Sequence, residues 1–497
     1  MVKHTTVKKS LILLVAVLMC VAVFLSACSD KPFTPNFTAP TGGQVTSNGG
    51  IAVKYGDYIY YVNGYQSDAS ADNSYINTND DPRVGSVVRI KAEDIAGILA
   101  INDEDLSNSE KLEAIADAVR EKVQVVVPKI YYSANTTTAG LNGIYIFNDR
   151  LFMLTPNDQL TAGGNSQTDQ SVLMSFDLNG ANPVRHFTFT GNNAQVWLYQ
   201  NGDGVVMATY LLKDELHVLK LGAAEKDTVD TLIADDEDEA KVSSVNFDLT
   251  SESVFFLDNN GSICRLACGA TEKEVIVNNA TGEDEDDSTF AYSISNVSNG
   301  FVYFTRTNSD NSSVDSTVLY YASSSHKVTE VGGEPAVACN TTDLDDDWQG
   351  WKENKLVAVK ATNGYYGLYI ISSVDGSEQV QVLQPGFNEQ AITINKIEGD
   401  TLYYTANSVT YTKDLSVFEN GDEETIAKEV QSLGTPYAAS WSNTSATGWG
   451  LPDIVVVGEH TYMFTFGTGT VSVVEFKVED KTNSTSAAMT LKAAKED

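Results

Sequence analysis

Apolar and polar positions alternate along this chain in short runs set off by turn residues. One phrase recurs: a turn pair rich in Gly, Asp, Asn or Glu, then four largely apolar or aromatic residues. Its copies are Gly56-Asp57 before YIYYV, Asn142-Gly143 before IYIF, Asp203-Gly204 before VVMA and Glu252-Ser253 before VFFL. They continue with Asn299-Gly300 before FVYF, Asn354-Lys355 before LVAV, Gly399-Asp400 before TLYY and Glu459-His460 before TYMF. A second short alternating run follows most copies, among them SVVRIKAED (86–94), ELHVLKLG (215–222), TVLYYASS (317–324) and VSVVEFKVED (471–480). β-Branched and aromatic enrichment, turn signals at both ends and scarce proline predict antiparallel hairpins over helices.

Counted at positions 58, 144, 205, 254, 301, 356, 401 and 461, the eight copies stand 86, 61, 49, 47, 55, 45 and 60 residues apart. Most intervals fall near the roughly 40 to 50 residues of a propeller blade. A tandem of β-sandwiches also yields short, evenly spaced strands, but it does not repeat one hairpin phrase eight times. The expected fold is therefore all-β, a seven- or eight-bladed β-propeller over residues 49–480 followed by a polar C-terminal tail, 481–497. Closed rings commonly complete one sheet with both chain ends, so Ile51 to Tyr55 is expected to pair near 471–477. The longest interval holds one helical insertion, about 92–122. Ser109 serves as its N-cap, and Leu112, Ile115, Val119 and Val123 form an apolar stripe. That stripe predicts a helix packed on the side of the ring, with a docking surface as the sharper alternative.

The N-terminus carries an address. Lys3, Lys8 and Lys9 precede an uncharged apolar run, Leu11 to Leu25, too short for a membrane span and followed by small residues, which predicts a signal peptide over residues 1–27. Leu25-Ser26-Ala27-Cys28 resembles a bacterial lipobox. That resemblance implies lipidation at Cys28 and attachment to the membrane through the lipid alone, on the outer face of the cytoplasmic membrane. Residues 28–48, rich in Pro, Thr, Ser, Gly and Asn, read as a flexible tether.

Charge and chemistry narrow the function. The 497 residues contain 67 Asp and Glu against 32 Lys and Arg, a net charge of −35. With no basic block beyond the signal, nucleic-acid binding is excluded. Loss of the signal removes three lysines and no acid, so the exported chain is more acidic still and stands off anionic lipid. Cys264, Cys268 and Cys339 form no disulfide framework. On one continuous strand the first two would lie about 13 Å apart, beyond bridging distance, although a turn at Cys268-Gly269-Ala270 or a pair with Cys339 would relax that. No nucleophile, metal or nucleotide motif accompanies His186, His217, His326 or His460, so no catalytic residues are assigned.

Two features remain. Asp343, Asp345 and Asp347 alternate like the start of a calcium loop, but Trp348 and Asn354 stand where an EF-hand needs Gly and Glu; at most they form a weak calcium site, the one cofactor considered. Trp348 and Trp351, and Trp441 and Trp449 in SWSNTSATGWG, lie outside the strand phrases. They are ligand-binding candidates if exposed on loops and joint fillers if buried.

The turn-plus-Tyr phrase of Gly56-Asp57-Tyr58-Ile59-Tyr60-Tyr61 resembles the repeat of low-density-lipoprotein-receptor-like and TolB-like β-propellers. The same holds for the runs ending in Asp177-Leu178-Asn179-Gly180 and Val374-Asp375-Gly376-Ser377. The likeness is to those of Firmicutes-type surface lipoproteins of unknown function, and it spans roughly residues 50 to 480. The receptors' YWTD tetrad is absent. The resemblance implies a fold and a surface location, not a reaction. The expectation is a monomeric, non-catalytic binding or scaffolding module with a protein or glycan partner. The alternative is a polysaccharide-directed enzyme or solute-binding component that uses an acidic channel.

Overall fold

In the computed structural model the recurring phrase becomes the interior of a sheet, because its apolar residues are buried on both faces by the sheets on either side. The structure describes residues 34–64, 82–130, 143–157, 159, 161–162, 167–191, 194–233, 241–248, 250–279, 290–308, 318–340, 347–371, 378–439, 454–467, 469–476 and 484–492. They form eight antiparallel sheets, each a meander in chain order. Blade 1 spans residues 45–130 and has five strands, the first of only two residues, Val45–Thr46. Blades 2 to 8 have four strands each and span 145–188, 195–232, 243–277, 290–340, 348–383, 393–439 and 454–488. The ring is an eight-bladed β-propeller.

The phrase marks the second strand of six blades and, because of the extra two-residue strand Val45–Thr46, the third strand of blade 1. In blade 2 it marks the first strand, Tyr145–Phe147, and the turn that precedes the second strand is Asn148-Asp149. In blade 6 the turn is Lys352-Glu353, two residues before the expected pair, and in blade 8 it is Gly458-Glu459. Two-residue turns with left-handed backbone match the twist of the strands they join, which is why Gly and Asn recur there: φ is +54° at Gly56, +51° at Asn299 and +59° at Gly399.

No central core exists. Apolar clusters instead fill each joint. One runs through blades 8, 1 and 2, another through blades 2 to 4, and the rest occupy the 4–5, 5–6, 6–7 and 7–8 joints.

The seam differs from expectation. Ala52–Tyr55 pairs only within blade 1, and Thr470–Phe476 pairs only within blade 8. Among the described residues no strand is shared between the chain ends. The C-terminal segment read as a tail supplies the fourth strand of blade 8, Ser484–Ala488, and buries Met489 and Leu491. Side chains of blade 1 then grip its backbone. Asn63 Nδ2 donates to the Leu491 carbonyl at 2.9 Å, the Leu491 N–H donates to Asn63 Oδ1 at 2.8 Å, and Tyr61 Oη donates to the Met489 carbonyl at 2.9 Å. Tyr61 also packs on Phe464, with ring centroids 5.5 Å apart.

The helical insertion covers this seam. It is two helices, α1 (Ala92–Ala100) and α2 (Asn108–Lys122). The N-cap of α2 is Ser107, not Ser109, because Glu110 at the third helical position completes a capping box with it. Ile115, Val119 and Val123 are buried with Met489 and Leu491, so the packed reading of the stripe holds for these three. Leu112 is 65% exposed and is no part of it. Two further helices, α3 (Val417–Asn420) and α4 (Glu423–Val430), interrupt blade 7.

The described part of the tether is docked. Phe37 lies 3.3 Å from the Arg89 guanidinium, which also covers Tyr58, and the Gly42 N–H donates to Asp149. Asn48 exchanges two hydrogen bonds with the backbone of Ile146, while Gly49 and Gly50 pair with Ile144. That approach requires glycine, since a Cβ on Gly143 would lie 1.6 Å from the Gly49 carbonyl oxygen. Docked chain therefore begins by residue 37, earlier than the expected boundary at 48.

Asn63→Ala orphans a donor and an acceptor of Leu491 in a buried seam, so it should lower unfolding free energy by about 2–4 kcal/mol in a denaturant titration. A loss below about 0.5 kcal/mol, within the range of an ordinary surface change, would show that the seam does not depend on this residue.

Candidate functional site

The first strands of the blades converge on the axis, and their C-terminal ends carry the side chains that face it. There they enclose a cavity of about 680 Å³, lined by blades 2 to 7 and by Asn48 from the docked N-terminal segment. This volume lies within the range of about 300–1,000 Å³ typical of small-molecule sites.

The aromatic residues of the wall cluster on one side. Tyr145 and Phe147 come from blade 2, Trp197 and Tyr199 from blade 3, and Phe247 from blade 4. Period-two alternation puts each pair from one strand on the same face. The rings of Tyr145 and Phe147 stack at 6.0 Å, and Trp197 meets Phe247 edge-on at 5.8 Å. Tyr199 is fixed by the Gly269 N–H, which donates to its hydroxyl at 2.7 Å, and burial pushes its pKa up, so it stays a neutral phenol.

The facing wall is polar: Asn296 and Ser298 of blade 5, Gln349 of blade 6, and Asn395, Lys396 and Glu398 of blade 7. Much of it is already engaged. Asn296 Oδ1 accepts from the Gly350 N–H at 3.1 Å, and Gln349 Nε2 donates to the Asn395 carbonyl at 3.2 Å. Asp248 accepts from Ser251 Oγ and from the Gly300 N–H, both at 2.6 Å. Glu398 pairs with Lys396 at 2.8 Å. Among the described residues, neither histidine nor cysteine lines the cavity.

The blade turns staple the rim. The Gly399 N–H of blade 7 donates to Asn299 Oδ1 of blade 5 at 2.8 Å, reaching past blade 6. Asn148 Nδ2 donates to the Gly204 carbonyl at 3.0 Å, joining blades 2 and 3. The turn pairs of the sequence thus mark the mouth of the site as well as the repeat.

The sequence candidates fall elsewhere. Trp351 is 1% exposed, packed in the joint of blades 6 and 7 with Nε1 donating to Asp400 at 3.2 Å; it is a packing residue and not a binding residue. Trp348 is half-buried, edge-on to Tyr303 at 6.4 Å, outside the cavity lining. Trp441 and Trp449 lie outside the described residues, as do Cys28, Asp343 and Asp345. Asp347 spends its carboxylate on the Ile394 N–H at 3.0 Å, and burial raises its pKa. Trp197, the one tryptophan not selected from the sequence, reaches the cavity.

The histidines are accounted for among the described residues. His186 Nε2 is 2.8 Å from Ser175 Oγ and Nδ1 is 3.0 Å from the Gly222 carbonyl. That buried pair holds the joint of blades 2 and 3, and burial lowers the histidine's pKa. His217 is 3.1 Å from Asp230 and stacks on Tyr210, and His460 pairs with Glu475. The three cysteines Cys264, Cys268 and Cys339 are free thiols, which ends the pairing alternatives.

Fold and site together define an eight-bladed β-propeller with a ligand-sized cavity at the turn end of its channel. No protein-family model matches the sequence, and none of the curated proteins does. Among solved structures it is similar to the Dos1 propeller, at 10% identity over 90% of this chain and 92% of that one, with a TM-score of 0.37. It is also similar to the C-terminal WD40 domain of Sif2, at 11% identity over 66% and 78% with a TM-score of 0.30. A third likeness is to a prolyl endopeptidase, at 10% identity over 71% of this chain and 50% of that one with a TM-score of 0.33. The chain spans about half the length of that enzyme.

Trp351→Ala opens a cavity in a blade joint and should cost about 3–5 kcal/mol of stability, read as a large fall in melting temperature. Trp348→Ala should cost less than half as much; equal losses would contradict the packing difference between the two.

Proposed function

We propose that this chain is an exported, lipid-anchored β-propeller that works as a monomer and binds a ligand in the mouth of its channel. It acts at the outer face of the cytoplasmic membrane of a Firmicutes-type bacterium. The observation that carries the binding function is the cavity wall, aromatic on one side and rich in amides on the other. Aromatic faces and fixed hydrogen-bonding groups in a preformed concavity are the usual means of holding a small polar organic ligand or the end of a glycan. Asp248 and Glu398 already have partners, which favours holding a ligand over cleaving one. The anchor rests on the lipobox-like Leu25-Ser26-Ala27-Cys28 and the apolar run before it. Among the described residues no helix is long and apolar enough to cross a membrane.

Two measurements test the two halves. In detergent phase partition, the expressed chain should enter the detergent phase and Cys28→Ser should stay in the aqueous phase; identical partition would end the anchor reading. On a glycan and solute array, any ligand retained by the full-length protein should be lost from Trp197→Ala, whose melting temperature reports separately on folding. Retention at full strength by the variant would exclude the channel as the site.

A further inference from the structure

The acids at the cavity are not equivalent. Asp248 is held by the Gly300 N–H and Ser251, and Glu398 by Lys396, so their charge is met within the protein. Glu252 also lines the cavity, is exposed at its mouth, and has no hydrogen-bonded or ion-paired partner for its carboxylate among the described residues. Among the described residues Asp248 and Glu252 line the cavity without an ion-pair partner, and of the two only Glu252 also lacks a hydrogen bond to its carboxylate.

Its backbone is unusual as well. Leaving aside the two-residue strand Val45–Thr46 of blade 1, the turn between the first two strands contains a left-handed residue in every blade. That residue is Gly or Asn in blades 1, 2, 3, 5, 7 and 8: Gly56, Asn148, Gly204, Asn299, Gly399 and Gly458. Long charged side chains, which tolerate this conformation poorly, occupy it only at Glu252 in blade 4 (φ +48°) and Lys352 in blade 6 (φ +54°). Lys352 has a structural reason to be there, since it bridges Asp400 and Glu419 at 3.1 and 2.7 Å. Glu252 has no such partner.

Glu252 also stands beside the aromatic half of the wall. Its carbonyl accepts from the Cys268 N–H at 2.8 Å, and the next residue, Gly269, donates its N–H to the Tyr199 hydroxyl at 2.7 Å. Phe247 lies on the strand that leads into the Glu252 turn, and Trp197 touches both Tyr199 and Phe247, at 5.7 and 5.8 Å between centroids.

We propose that this quarter of the cavity, Trp197, Tyr199 and Phe247 with Glu252 at the rim, binds an organic ammonium group carried by a small molecule or an amino sugar. The proposal rests on reading the channel mouth as the ligand site. Ring faces attract a cation through their quadrupole, and the effect grows as the cation is desolvated. A nearby carboxylate supplies the counter-charge that a neutral ligand would not need. The net charge of −35 raises the local concentration of cations before binding.

The test uses matched probes on the full chain: choline against its neutral isostere 3,3-dimethylbutan-1-ol, and glucosamine against glucose, by isothermal titration and tryptophan fluorescence. The ammonium member of each pair should bind about tenfold or more tightly, and the preference should shrink in high salt. Glu252→Gln, at an exposed site, should keep the melting temperature and reduce the preference to near unity. Trp197→Phe should weaken the ammonium probes while retaining a ring in the wall. Equal binding of charged and neutral partners, an intact preference in Glu252→Gln, or no binding of any probe at millimolar concentration would each overturn the ammonium assignment. The channel reading itself would stand if an array ligand is still lost from Trp197→Ala, and would fall only if binding ignores that substitution.

Discussion

A ring of sheets has no interior other than the joints between neighbours, so everything depends on the last blade meeting the first. This chain closes without a shared sheet. Two buried side chains of blade 1, Asn63 and Tyr61, take the backbone polar groups of Leu491 and Met489 that would otherwise be stranded in an apolar seam. The helices α1 and α2 then lay Ile98, Leu99, Ile115 and Val119 over the same cluster. The seam combines directional bonds, which set the register of the C-terminal strand, with apolar burial, which supplies most of the driving force.

Closure also shapes the mouth. Because blade 8 draws its fourth strand from its own C-terminus, the N-terminal segment is free to run inward, and Asn48 ends at the cavity beside Ile146. An anchor upstream of residue 34 would thus be coupled mechanically, through Phe37 and Asn48, to blades 1 and 2 and to the site. The turn-to-turn bonds around the rim hold the inner strands in place, so the aromatic and polar walls are set before a ligand arrives, which reduces the ordering cost of binding.

Acidity has two separate consequences here. Over the surface a large net negative charge opposes self-association and repels other anions. At the cavity, Lys396 offsets Glu398 and hydrogen bonds hold Asp248 in place, so the proposed ammonium preference turns on Glu252, whose carboxylate has no partner among the described residues. A count of 67 acids says nothing about which one that is.

The repeat and the blade number within one were legible in the chain, because turn residues and period-two apolar runs are local signals of local geometry. The phrase led to the second and third strands, which are buried on both faces and so strongly patterned. Outside blade 2 it passed over the first strands, such as QVWLYQ and SSVNFD, which face a partly wet channel and carry no clean alternation. The tryptophans mislead for the same reason. Trp351 lies outside the phrases yet fills a joint, while Trp197 lies in a strand yet faces the cavity. Which side of a strand meets the axis, and which chain end completes the last blade, depend on contacts between residues more than 400 positions apart, such as Asn63 with Leu491. No spacing within a repeat encodes those contacts; only closing the ring decides them.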